Sequence, residues 1–171
     1  MPLRAAALDR SHRAELRELL AATNAFGDDE IAVALELFDE AHPPAGGVGA
    51  PSASPDYEFV AALNEQDSLK GYACWGPTPG TDRTYDLYWI AVDPGAQGAG
   101  GGTLLLAEVE RRLADRRARM VVVETSSRPE YAGARGFYAR RGYEEAARVR
   151  EFYASGDDRI ILTKRIEQRG S

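Results

Sequence analysis

Apolar residues recur along this chain at two spacings, and the change of spacing separates helical from extended stretches. Leu16, Leu19 and Leu20 fall on one helical face, with Asp9 or Ser11 where an N-cap is needed, so a helix is expected to reach about Thr23. Ile31, Leu35 and Phe38 repeat at helical spacing behind Asp28 and Asp29, acidic residues that suit the positive end of a helix dipole. A short strand around Leu3–Ala7 precedes both helices. From Asp56 the texture turns to strands: Tyr57–Leu63 and Leu69–Trp75 joined by a polar turn at Asn64–Ser68, then Tyr85–Val92 after a Gly-Pro break. Thr103–Arg117 reads as an amphipathic helix with Leu105, Val109 and Leu113 inward. Met120–Thr125, apolar and β-branched, reads as a strand buried on both faces. A helix over about Glu130–Arg141 and strands near Tyr143–Tyr153 and Asp158–Ile166 complete the order βααβββαβαββ. That order describes one α/β (α+β) domain over residues 1–171, a mixed sheet flanked by helices. Residues 43–55, rich in Pro, Gly, Ala and Ser, are expected to form a flexible internal loop, and residues 167–171 a disordered tail.

Composition narrows the function classes. With 44% hydrophobic and 28% charged residues among 171, the chain has the make-up of a soluble globular protein. No apolar run approaches the roughly 20 residues that span a bilayer, and the first residues lack a signal-peptide core, so a cytoplasmic protein without a membrane partner is expected. A net charge of −6 disfavours nucleic acid, whose phosphates need clustered Lys and Arg, and favours a cationic partner such as an amine. The single Cys74 excludes an intrachain disulfide and a cysteine-based zinc cluster, and it reads as core. His12 and His42, expected on helix surfaces, have no carboxylate spacing that suggests a metal, so no metal is expected.

The strongest local signal is Gln97-Gly98-Ala99-Gly100-Gly101-Gly102, lying between a strand and a helix. Glycines there let the backbone approach a ligand, and exposed N–H groups at a helix start make a seat for phosphate oxygens. A dinucleotide fold is the main rival, since Gly98-x-Gly100 begins its fingerprint and Glu124 ends the next strand. Its third glycine position is Thr103, however, and five residues, Asp93–Gln97, separate the strand from the first glycine where that fold turns tightly.

The wider context resembles the GNAT superfamily of N-acetyltransferases. Asp86-Leu87-Tyr88-Trp89-Ile90-Ala91-Val92-Asp93-Pro94 followed by the glycine run is similar to that family's acetyl-CoA motif. Phe137-Tyr138-Ala139-Arg140-Arg141-Gly142-Tyr143 resembles its second signature, one helix and one strand later. The resemblance covers roughly residues 56–166 and implies a mainly antiparallel GNAT-like sheet. It also implies acetyl-CoA as acyl donor and direct attack by a primary amine of a small molecule or peptide through a tetrahedral intermediate. A homodimer is compatible with it, and so is a non-catalytic acyl-CoA-binding sensor of the same fold. Two positions depart from the pattern: Gly101 replaces a bulky apolar residue, and Ala99 replaces a frequent Lys or Arg. Arg135, Arg140 or Arg141 can supply the missing cation.

The resemblance implies a cofactor set of Ile90, Ala91, Val92, Gln97, Gly98, Ala99, Gly100, Gly101, Gly102, Thr103 and Arg141. Backbone groups of Ile90, Ala91 and Val92 would hold the thioester and pantetheine. Tyr138 matches the family's frequent general acid; a phenol of pKa about 10 facing a thiolate whose acid is near 8.5 makes hydrogen bonding easier than full proton transfer. Asp86 matches a strand position where several branches carry a base, and alternation places it on one face with Tyr88 and Ile90. Glu124 is the second candidate base. Structural readings stand beside these: Asp86 as a solvated strand start, Glu124 as a hydrogen-bonded structural carboxylate, Tyr138 as core. The arginines at 111, 112, 116, 117 and 119 read as a solvated helix face paired with acids such as Glu108. Trp75, Trp89, Tyr85 and Tyr88 are candidates to line an acceptor pocket.

Overall fold

Asp9 starts the first helical stretch of the chain. Its carboxylate accepts from Ser11 N–H at 2.9 Å, capping a 3-10 turn at Arg10–His12 that continues into a helix. The computed structural model describes residues 2–45 and 56–168, so most of the loop expected at 43–55, and residues 169–171 of the expected tail, lie outside the described residues. The elements are β1 (Arg4–Ala6), α1 (Arg13–Ala22), α2 (Asp28–Ala41), β2 (Glu58–Leu63), β3 (Leu69–Pro77), β4 (Thr84–Val92), α3 (Gly101–Asp115), β5 (Met120–Ser126), α4 (Ala132–Ala139), β6 (Glu144–Ala154) and β7 (Asp157–Arg165). Short 3-10 turns at Pro94–Ala96 and Pro129–Tyr131 precede α3 and α4. The order is βααβββαβαββ, as the hydrophobic pattern predicts. The strands join one mixed sheet in the order β1-β2-β3-β4-β5-β7-β6. Of the registered pairs, β4 with β5 is parallel, while β1–β2, β2–β3, β5–β7 and β6–β7 are antiparallel.

The chain forms two compact units, Met1–Gly76 with Trp89–Arg112, and Pro77–Tyr88 with Leu113–Ser171. In the first, α1 buries Leu16, Leu19 and Leu20, and α2 buries Leu35 and Phe38. Arg13 on α1 grips Asp39 on α2 through two 2.7 Å hydrogen bonds, and Glu15 accepts from the Leu69 N–H at 2.8 Å. Glycine is required at Gly71, where a Cβ would lie 2.9 Å from the Ala91 carbonyl and 3.2 Å from Leu105 Cδ1. The absence of a side chain thus lets β4 and α3 close on β3.

In the second unit β5 alternates. Val121 and Val123 are buried and pair in register with Lys164 and Leu162, whereas Val122 is half-buried and Glu124 exposed. The expectation of a strand buried on both faces is therefore corrected: the face bearing Glu124 is only partly covered, and a carboxylate can stand there because water reaches it. Ser126 and Ser127 tie β5 to the start of β7, Ser126 Oγ donating to Asp157 and Ser127 Oγ accepting from Asp158 N–H at 2.8 Å. Both histidines are also more covered than expected. His12 sits at the N-cap position of α1, its Nδ1 accepting from Asp9 N–H at 3.2 Å, and His42 stacks on Phe38 with ring centroids 4.3 Å apart.

Candidate active site

The glycine run folds as a turn of defined geometry in the first unit. Asp93 caps it, accepting from Gly95 N–H at 2.9 Å while its other carboxylate oxygen meets Lys70 Nζ at 3.4 Å. Gln97, exposed, ends the 3-10 turn; Ala99 is exposed, and its N–H closes on Ala96 O at 3.2 Å. Gly98 and Gly100 sit at φ +84° and +79°, the left-handed region where side chains are strained, and a Cβ at either would meet nothing within 4 Å. The chain conformation alone, with no crowding, asks for glycine at both.

α3 starts earlier than the sequence suggests, at Gly101, with Leu104 N–H closing on Gly100 O at 2.9 Å. Gly101, Gly102 and Thr103 therefore form the first turn of the helix, at the positive end of its dipole. Gly101 is buried, and a Cβ there would meet Leu3 Cδ1 and Val92 Cγ1 at 3.2 Å each. That contact explains the departure from the family pattern: Leu3 and Val92 fill the space that a bulky residue at 101 would take. Ile90 and Val92 are half-buried at the end of β4, with Ala91 buried between them.

The two candidate bases come together in the second unit. Asp86 pairs with Val122 in the parallel register that runs Thr84–Asp86, and Glu124 lies two residues further along β5, so the carboxylates share one face of the sheet. Asp86 is half-buried; desolvation first, and the Glu124 charge after it, raise its pKa above the ordinary Asp value, while the side chain of Thr78 and the Arg159 charge pull it down. Thr78 Oγ1 is buried with no hydrogen-bond partner at ordinary distance among the described residues. Glu124 is ion-paired with Arg159, whose guanidinium also lies over the Phe152 ring at 4.9 Å.

Tyr138 lies on α4 and is buried, its ring edge-on to Phe137 at 5.2 Å and Tyr143 at 5.3 Å. Burial pushes its pKa up to about 12, so the phenol keeps its proton throughout the working pH range. Arg141 stacks on Phe137, 3.7 Å from the ring centroid, and donates to the Phe137 carbonyl at 2.8 Å. Arg135 is spent on backbone, donating to Ser126 O at 2.6 Å and Arg128 O at 3.0 Å, which removes it as a replacement for the cation missing at Ala99. Arg140 is exposed.

Several other candidates leave the site. Trp75 is fully buried and so is core, with Arg112 5.7 Å over its ring; Arg111, exposed, and Arg112 both pair with Glu108, as the helical spacing predicts. Trp89 Nε1 donates to the Tyr72 hydroxyl. Cys74 is buried in β3, where burial raises its thiol pKa and keeps it from acting as a nucleophile. Sequence reasoning missed Arg159, Phe152 and Tyr153 as neighbours of Glu124. The only signal was the long separation between two strand-end residues, Glu124 and Arg159, and that becomes contact only through the β5–β7 register. Among the described residues no group of His, Cys, Asp or Glu is arranged to hold a metal, and no helix is long and apolar enough to cross a membrane.

Comparison with known proteins agrees with this geometry. The profile of the acetyltransferase (GNAT) domain matches residues 55–145. A crystal structure of a GNAT-family protein from Desulfovibrio desulfuricans is 38% identical, with a TM-score of 0.82 over 96% of this chain and 98% of that one. The ribosomal-protein-S18-alanine N-acetyltransferase from Escherichia coli is 20% identical, with a TM-score of 0.74 over 99% of this chain and 97% of that one. An aminoglycoside 6'-N-acetyltransferase complexed with coenzyme A is 18% identical, with a TM-score of 0.72 over 98% and 99%. The last two likenesses speak for the fold alone. A search of curated proteins gave no match.

Proposed function

This chain belongs to the GNAT acetyltransferase superfamily, and from that premise we propose that it transfers an acetyl group from acetyl-CoA to a primary amine of a small molecule or peptide. The observation that supports the reading is the glycine turn, whose left-handed Gly98 and Gly100 lead into the positive end of the α3 dipole. Open space around both glycines fits a phosphate-bearing group. Gln97 through Thr103 would hold the pyrophosphate. The β4 backbone at Ile90, Ala91 and Val92, beyond the register that ends at Asp86, would hold the acyl arm. When bound, acetyl-CoA supplies a thioester carbon open to attack and a thiolate leaving group.

Asp86 takes the amine's proton as the carbon–nitrogen bond forms, when the nitrogen has become far more acidic than a free ammonium. A primary amine of pKa about 10.4 is almost wholly protonated at pH 7, and freeing its lone pair costs about 4.6 kcal/mol. A half-buried carboxylate whose pKa is raised is better matched to that task than an ordinary one. Glu124, committed to Arg159, sets the local charge rather than moving the proton. Tyr138 donates a hydrogen bond toward the departing sulfur. With a pKa of about 12 against about 8.5 for a thiol, full transfer would be uphill by roughly 5 kcal/mol, so the phenol keeps its proton.

The test is to incubate the protein with acetyl-CoA and a panel of primary amines, reading thiol release and product mass. Amine-dependent thiol release with a matching acetylated product supports the transferase. Saturable acetyl-CoA binding with no turnover of any amine would favour the sensor reading instead.

A further inference from the structure

Five large apolar side chains stand exposed among the described residues, and four of them, Tyr131, Val149, Phe152 and Tyr153, belong to the second unit. They are not scattered. Phe152, 52% exposed, lies edge-on to Tyr153 with ring centroids 5.0 Å apart and carries the Arg159 guanidinium at 4.9 Å. Arg159 is the ion-pair partner of Glu124, and Val149 stands opposite Arg159 in the β6–β7 register. Tyr153 lies within electrostatic reach of Glu124, Arg159 and Tyr131. The aromatic surface is thus continuous with the carboxylates at Glu124 and Asp86. Large exposed aromatics beside charged groups cost solubility and mark a surface that something covers.

The charges say what fits. Asp86 and Glu124 face one cation, Arg159; of the other acids nearby, Asp157 is bonded to Ser126, and Asp158 is paired with Arg148. A hydroxyl partner neutralises no charge, so the carboxylates here outnumber the Arg159 guanidinium and the surface suits an ammonium. Aromatic faces beside it suit an apolar or aromatic group carried next to that ammonium. We infer that Phe152, Tyr153 and Tyr131 form the acceptor-recognition surface, and that the acceptor is an amine borne beside an aromatic or bulky apolar group, such as an arylalkylamine or a peptide with an aromatic N-terminal residue. This rests on the reading of Asp86 as the acceptor's base.

The experiment compares wild type with Phe152→Ala, Tyr153→Ala and the double variant, using phenethylamine and a phenylalanyl dipeptide amide against spermidine and an aminosugar. The residues are exposed, so the variants should fold, which melting curves check. In the double variant the KM for the aromatic amines should rise about tenfold, equivalent to roughly 1.4 kcal/mol, with kcat, spermidine KM and acetyl-CoA Kd unmoved. Equal effects on aromatic and hydrophilic amines, or none, would overturn the proposal. So would loss of a dimer in sedimentation with acceptor KM unchanged, since the patch would then be an interface between copies. Direct titration of phenethylamine separates this proposal from the transferase reading: binding that the double variant loses supports the surface even if no amine is turned over, and no binding to wild type sinks it.

Discussion

Replacing Asp86 by Asn removes the proposed proton acceptor while keeping the shape of the side chain. At pH 7 only about one in 2,500 molecules of a primary amine with pKa about 10.4 carries a free lone pair. A positioned base typically contributes 10²–10⁴-fold, so kcat/KM at pH 7 should fall about 10²–10³-fold in Asp86→Asn. The pH profile tests the cause more sharply than the size of the loss. Burial and Glu124 raise the folded pKa of Asp86, so the active, deprotonated form is present above that raised value and is lost as pH falls through it. The acid limb of wild-type kcat/KM should therefore stand above the ordinary Asp range. In Asp86→Asn the limb disappears and the rate climbs with pH toward the amine's own pKa. Two neighbours should move the wild-type limb in opposite directions: Glu124→Gln removes a like charge and shifts it down, while Arg159→Met removes an opposite charge and shifts it up. Stability carries its own sign. A carboxylate with a raised folded pKa opposes folding when ionised, so Asp86→Asn should melt no lower than wild type at pH 7. Thiol release measured from pH 5 to 9, with chemistry shown to limit the rate, is the assay. An Asp86→Asn enzyme with wild-type kcat/KM and an intact acid limb would refute the assignment.

Three further outcomes follow from the same geometry. Tyr138→Phe should lower kcat about 10-fold or more while acetyl-CoA affinity stays near wild type, because a hydrogen bond to developing charge is made late; an unchanged kcat would return Tyr138 to the core. Gly100→Ala, at φ +79° with open space around the new methyl, should cost about 1–2 kcal/mol of local strain and weaken acetyl-CoA binding by titration, whereas an unaltered Kd would remove the turn from the cofactor site. Glu108, whose pKa is depressed to about 2 by hydrogen bonds from Arg111 and Arg112, stabilises α3 above its unfolded value near 4.5, and that contribution is lost as pH falls toward 2. Glu108→Gln should therefore lower stability by about 0.5–1 kcal/mol in urea melts at pH 7, with the difference from wild type shrinking as pH falls toward about 2.

The elements were legible because each carries its own periodicity and its own stop signals. Asp28 to Glu30 start α2 where the acidic run stands, and the Glu30 carboxylate accepts from Gly27 N–H at 2.7 Å. The start of α3 was misjudged because glycine is a poor helix former. Burial of Gly101 against Leu3 and Val92 overrides that propensity, a contact 98 residues distant along the chain in one case (101 − 3) and nine in the other (101 − 92). Geometry was legible where a local motif carries it, as with the turn at Gly98 and Gly100. It was not legible where register creates it: Glu124 meets Arg159 across β5 and β7, and the aromatics at the end of β6 join them only because β6 pairs with β7. Arg135 shows the converse, since a cation that looked free in the sequence is consumed by the carbonyls of Ser126 and Arg128.

Titration calorimetry with acetyl-CoA, using NAD as the control ligand, tests the central claim most directly. Saturable acetyl-CoA binding without NAD binding is the predicted result, and the Gly100→Ala variant should weaken it. No acetyl-CoA binding at sub-millimolar concentration would mean that Ala99 and Gly101 leave the turn unable to seat a phosphate, and the transferase reading would fall with it.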